Sequence, residues 1–305
     1  MAFSIGDAAA SGFRLIRERT GVILIWALFG FLVTLAFALF LMATAGGAFV
    51  ASLSQARFAT QDPGQVLNAV LTAAGEFVGP VLLTLPITLV VSAMYQVAAY
   101  RAVLDPDEAG RWGYLKLGAD ELRVALVTLA LVLLLVVAVA VPALVLGGIS
   151  AGLQSSPVLA LAFSVLSFLG VTAWAGFLLV RFSLGPVMTY REKRPRFMQS
   201  WTRTRPVFWP LAATYLVVFL ATIILALALL AVQQLIVAIG AFDILKALLT
   251  GRRPDLESSG PFLIFAAVVA ALLQSLYRAV NVAIVNAPAA SIWRQLEGPD
   301  AASQF

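Results

Sequence analysis

The chain has 305 residues, of which 62% are hydrophobic and 11% charged, and it contains no cysteine and no histidine. With a mean hydropathy of +0.99, a water-soluble globule is excluded, because so few charges cannot cover so much apolar side chain. The missing residue types remove disulfides and Cys-based metal sites, and with histidine go the commonest general base and transition-metal ligand.

The formal net charge is +5. Its basic residues stand beside apolar blocks, where anionic headgroups rather than nucleic acid are the expected partner. The first block follows Arg14, Arg17 and Arg19 and runs uncharged from Gly21 to Ala45. It exceeds the roughly 7–15 apolar residues of a cleaved signal peptide, so it reads as an uncleaved first crossing. A crossing needs about 20 apolar residues, and residues 20–45, 77–103, 124–146, 157–180, 207–236 and 261–290 qualify. Pro80 and Pro86 are expected to kink the second of these, each removing a backbone donor. No charge separates Arg123 from Arg181, so that stretch is a hairpin of two crossings, split at Gly147, Gly148, Gly152, Ser155, Ser156 and Pro157. Pro206 and Pro210 mark the start of the fifth crossing. Longer outer loops are expected over residues 46–76, with a turn at Asp62-Pro63-Gly64, and over 240–260, with Arg252, Arg253, Pro254 and Asp255.

Lysine and arginine set the orientation. The N-terminus, the 101–123 loop, the 181–205 loop and the C-terminal end hold 16 of them, and the three intervening loops hold 4. Both termini are therefore expected in the cytoplasm of a cell whose inner membrane the chain crosses. Each odd crossing is also preceded by a short basic, amphipathic segment, at residues 4–19, 112–123 and 196–205. In the second, Trp112, Leu115, Ala119 and Leu122 are expected on one helical face, opposite Lys116, Asp120, Glu121 and Arg123. In the third, Phe197 and Trp201 stand four residues apart among Arg196, Gln199, Ser200 and Arg203. The expected fold is thus an all-α polytopic bundle, a single membrane domain over residues 1–305, built as three helical-hairpin repeats launched from interfacial helices. Phe13, Trp112, Trp201, Trp209 and Trp293 are the expected interfacial anchors.

The even crossings end on Tyr100-Arg101, Val180-Arg181 and Tyr277-Arg278. An arginine there can snorkel and offer its fork of donors to lipid phosphate or another anion. Arg278 lies deep in the last apolar block, which leaves two readings. Either a bend near Arg278 starts a separate interfacial helix over 281–293, with Pro288 inside it, or Arg278, Asn281 and Asn286 face the bundle as an anion-accepting site. In the fourth crossing Ser164, Ser167, Gly170, Ala173 and Gly176 form a small-residue stripe, which reads as a packing seam or as a face open to an acyl chain. Gln233, Gln234, Gln274 and Ser275 are expected to hydrogen-bond between helices.

No carboxylate lies inside a crossing as drawn, and no phosphate-binding glycine loop or zinc-protease motif occurs. No enzyme, cofactor or metal centre is expected.

Three stretches carry a family resemblance: Phe197–Trp201 followed by Arg205–Trp209, the run Val180–Pro186, and the ending Ala287-Pro288 with Trp293–Leu296. Through them the chain resembles the six-helix bacterial membrane proteins related to the membrane domain of glycerophosphodiester phosphodiesterases. In that group phosphodiesterase activity belongs to an attached soluble domain, so the resemblance carries over no catalytic residue. It implies a membrane-embedded partner concerned with lipids or glycerol-phosphate compounds. The expected role is lipid contact in membrane organisation, or that of an accessory subunit beside partner membrane proteins. The alternative is a transporter or lipid-translocating permease whose cavity is lined by Gln274, Arg278, Asn281 and Asn286.

Overall fold

A computed structural model describes residues 3–58, 68, 71–72, 74–108, 110, 112–153, 155–249 and 256–297. The long elements are α1 (Ile5–Glu18), α2 (Thr20–Phe58), α3 (Val78–Leu104), α4 (Ala119–Gly152), α5 (Pro157–Phe182), α6 (Gly185–Glu192), α7 (Phe197–Thr204), α8 (Phe208–Leu249) and α9 (Leu256–Glu297), with one 3-10 turn at Pro106–Glu108. Six helical stretches among the described residues are long and apolar enough to cross a membrane. The protein is an all-α, multi-pass membrane protein.

The helix boundaries follow local chemistry. Ser4 caps α1 by accepting from the Asp7 N–H at 3.3 Å. Asp120 and Glu121 occupy the first turn of α4, where the helix dipole favours negative charge. Pro157 begins α5, a position whose N–H would be orphaned in any case. Lys193 closes α6 in a left-handed conformation, with φ of 55°, which turns the chain back toward α7. α3 continues through Pro86, and α4 through Pro142.

Several elements differ from their sequence expectation. The helix expected over 112–123 does not form: residues 112–114 make a turn, and α4 starts only at Ala119. Gly113 and Tyr114 both have positive φ, 59° and 68°, which no helix accommodates. Trp112 and Leu122 are exposed while Leu115 is buried, so the expected common face is absent. The outer ends are more helical than expected, with α2 running to Phe58 and α8 to Leu249. The Asp62–Gly64 turn and residues 252–255 lie outside the described residues. α9 is continuous over 42 residues, so the reading in which a separate helix begins after Arg278 does not hold.

The chain divides into two compact units, one of Met1–Thr20, Ser92–Ile224 and Asn281–Phe305, the other of Gly21–Val91 and Leu225–Val280. In the first, Val127 and Leu131 of α4 pack with Leu178 and Phe182 of α5, flanked by Phe177 and Phe197. Gly185 lets α6 approach α7, since a Cβ there would lie 3.3 Å from the Phe197 Cα. The α1 helix is docked, not merely laid on a surface. A Cβ on Gly12 would stand 2.6 Å from the Ile284 Cα of α9, and the Ser4 N–H donates to Gln295 Oε1 at 2.9 Å. In the second unit Ile23 and Trp26 are buried, and Gln233 donates to Gln274 across α8 and α9 at 3.3 Å.

Most of α5 remains open. Gly170 and Gly176 have nothing within 4 Å of a built Cβ, and Ser164, Ala173 and both glycines are exposed. The small-residue stripe therefore makes no packing seam along its length. Ser164 meets α4, sharing a hydrogen bond with Ser150 at 2.6 Å.

Candidate functional site

A cavity of ≈ 440 Å³ opens in the first unit, between the end of α3, the 105–118 segment, the start of α4 and the end of α6. Its walls are nearly all charged, and each charge is matched. Arg191 donates to Asp105 at 3.0 Å and Lys193 to Asp120 at 2.7 Å. Lys116 stands 3.7 Å from Glu108, and Arg101 lies between Asp120 and Glu121. The Tyr190 hydroxyl donates to Asp105 at 2.7 Å, and Lys193 lies 4.6 Å above the Tyr190 ring.

The backbone around the cavity is held by the same groups. Arg101 donates to the Tyr114 carbonyl at 3.2 Å, while the Tyr114 hydroxyl donates to the Pro106 carbonyl at 2.7 Å. Arg19 reaches that carbonyl too, at 3.2 Å, and its guanidinium stands 5.4 Å from the centre of the Tyr114 ring. These bonds fix the left-handed Tyr114, a conformation that a bulky residue adopts only when its surroundings impose it. Among the described residues, the two non-glycine residues with positive φ, Tyr114 and Lys193, thus sit at this cluster. Glu121 is fully buried. Its ion pair with Arg101 is its counter-charge, and neither of its oxygens has a hydrogen-bond partner among the described residues.

Arg181 is treated differently. Its guanidinium carbon lies 5.2 Å from the Phe177 ring centre, 5.0 Å from Trp201 and 5.2 Å from Phe208. Phe177 stacks on Trp174 at 5.8 Å, and Trp174 is anchored by donating to the Ala138 carbonyl at 3.0 Å. The Arg181 carbonyl accepts from Ser200 at 2.8 Å and Thr204 at 3.1 Å, which ties α7 beneath the end of α5. Nε and Nη1 of Arg181 are enclosed and have no hydrogen-bond partner among the described residues.

The expected site residues therefore separate. Arg101 is buried and neutralised within the chain, and Arg181 is half-buried among rings. Arg278 is exposed on α9. Asn281 and Asn286 are half-buried, and Asn286 donates to the Val282 carbonyl of its own helix. Of the expected anchors, Trp112 and Trp209 are 74% and 79% exposed, and Phe13 and Trp201 are exposed as well. Trp293 is instead buried, 6.0 Å from the Arg203 guanidinium, so it cannot reach an interface.

Sequence reasoning missed Glu121, Asp105, Tyr114 and Tyr190. One signal was present: Tyr100-Arg101, Tyr190-Arg191 and Trp293-Arg294 are aromatic–arginine pairs closing α3, α6 and α9. Each of these arginines bonds within the first unit, Arg294 to the Val103 carbonyl at 3.3 Å. They form a better repeat than Arg101, Arg181 and Arg278. The sequence matches no known family model, no curated protein and no solved structure.

Proposed function

We propose that this is an inner-membrane protein with cytoplasmic termini that contacts lipid headgroups and acts without chemistry of its own, in membrane organisation or as an accessory subunit. The observation that carries this reading is the exposure of Phe13, Trp112 and Trp209 close in sequence to Arg14, Lys116 and Arg205. Aromatic rings and basic groups together at the ends of apolar spans suit the headgroup layer, where each ring has an apolar body and a wet edge. The 16-to-4 bias of lysine and arginine supports the orientation.

A non-catalytic role is supported by the cavity, since Asp105, Glu108 and Asp120 are each held by a cation and are poor candidates for a general base. The transporter reading is less well supported. Arg278 is exposed, and Gln274 is engaged by Gln233.

Native mass spectrometry of the protein in mild detergent tests the reading. Co-purifying phospholipid is expected, reduced in the triple variant Phe13→Ser, Trp112→Ser, Trp209→Ser and unchanged in Arg278→Ala. The reading is lost if the triple variant keeps its full complement of lipid and partner chains. It is lost equally if proteoliposomes show a solute flux that Arg278→Ala abolishes. A periplasm-active reporter that gains activity when fused after Glu297 would overturn the orientation.

A further inference from the structure

We infer that Arg181 and its aromatic walls form a binding site for the phosphate of an anionic phospholipid. The inference rests on the lipid-contacting reading and narrows it to one headgroup chemistry and one residue.

Among the described residues, every other arginine that is not exposed has an oxygen partner. Arg19 has the Pro106 carbonyl, Arg101 has Glu121, Arg123 has Asp120, Arg191 has Asp105 and Arg196 has Glu192. Arg181 has none. Three rings cover it, and two of its nitrogens are enclosed without an acceptor. Rings attract a cation through their quadrupole, but they supply no net negative charge. A guanidinium held in such surroundings has a strong demand for an anion. With Nε and Nη1 enclosed and the residue as a whole only half-buried, Nη2 is the edge of the fork left for an incoming oxygen.

Position decides which anion. The uncharged part of α5 before Arg181, residues 157–180, is about 36 Å long at about 1.5 Å per residue. The hydrocarbon layer is about 30 Å thick. An arginine at the end of that helix therefore lies at the depth of lipid phosphates. Trp201, one of the three rings of its box, is itself exposed, as an interfacial ring should be. A phosphodiester oxygen on Nη2 makes a charge-assisted bond in a partly dehydrated setting, where such bonds are strongest. An anionic headgroup neutralises the site, whereas a zwitterionic one brings its own cation and leaves the sum unchanged. Soluble phosphate shares the chemistry but has no acyl chains to hold it at this depth.

The test is native mass spectrometry of the full chain in mild detergent, titrated with phosphatidylglycerol or phosphatidylcholine. The wild type is expected to retain one phosphatidylglycerol in preference to phosphatidylcholine. Arg181→Gln should weaken that retention by about tenfold or more, the scale of one charge-assisted bond. Arg181→Lys keeps the charge but loses the planar fork and the stacking, so intermediate retention is expected. If Arg181→Gln does not fold, Arg181→Lys carries the comparison alone.

Equal retention of phosphatidylglycerol by the wild type and the folded variant would overturn the Arg181 site and leave the broader lipid reading intact. A wild type stripped of all phospholipid defeats both. Displacement of phosphatidylglycerol by excess inorganic phosphate assigns the site to a soluble anion and overturns the lipid assignment.

Discussion

Arg101 and Arg181 sit near the ends of successive even crossings, and the protein neutralises them in opposite ways. Arg101 is buried against the carboxylates of Asp120 and Glu121 and spends a further donor on the Tyr114 carbonyl. Arg181 stands among Phe177, Trp201 and Phe208, with no carboxylate partner among the described residues. The first arrangement closes on itself, because every charge around the cavity has an internal partner. The second is open, because rings cover a cation without cancelling it. The same residue type thus serves as a structural tie near the end of one crossing and as a candidate ligand group near the end of another. What differs is whether the following segment brings an acid, as the start of α4 does, or an aromatic helix, as α7 does.

The sharpest way to break this comparison is Arg101→Met. It leaves Glu121 fully buried with no counter-charge, and removing one partner of a buried pair costs about 3–5 kcal/mol. Detergent-solubilised Arg101→Met should unfold at markedly lower temperature than the wild type. The double variant Arg101→Met, Glu121→Leu should recover much of the loss, since apolar replacement of both partners removes the desolvation penalty. A single variant as stable as the wild type would show that the pair ties nothing.

Asp105→Asn should have the next largest effect. Asp105 accepts from Tyr190 and Arg191, 85 and 86 residues away, and so joins α6 to the end of α3. Asparagine keeps an acceptor for Tyr190 but loses the charge that holds Arg191. With both partners about a quarter exposed, a cost of about 1–2 kcal/mol is expected, less at high salt. Unfolding midpoints at low and high ionic strength measure it, and a loss independent of salt would argue against an ionic tie.

The comparison also marks how far the sequence alone reaches. Uncharged runs bounded by arginine and proline located the crossings, and Pro157 and Pro206 located two of their starts. α7 was expected from Phe197 and Trp201 at a spacing of four, and it is there. The segment 112–118 was misread because the helical periodicity of Trp112, Leu115, Ala119 and Leu122 is local. What shapes it is not local: Arg101 and Pro106 hold Tyr114 in a left-handed turn through side-chain bonds. The two surroundings of the arginines were hidden for the same reason. Arg181 and Phe177 are four residues apart on one helix and could be paired on paper, but Trp201 and Phe208 arrive on α7 and α8. Glu121 was placed opposite the expected apolar face, because nothing near it in sequence shows that Arg101 waits twenty residues upstream.

Arg181→Met should have the smallest effect on the fold in detergent. The loss is the attraction between a cation and three rings, about 1 kcal/mol for a partly buried contact. Against it stands relief from holding an unpaired charge and two enclosed donors away from water. Methionine also packs well on aromatic rings and matches the length of the aliphatic stem. The two effects oppose each other, and the expected shift in unfolding midpoint without phospholipid is close to zero, well below that of Arg101→Met. Adding phosphatidylglycerol should then separate the proteins, because a ligand that binds only the folded state raises its stability by mass action. The wild type should gain thermal stability and Arg181→Met should gain less. A loss as large as that of Arg101→Met without lipid would show the aromatic box to be a structural tie after all, equivalent to the carboxylates around Arg101.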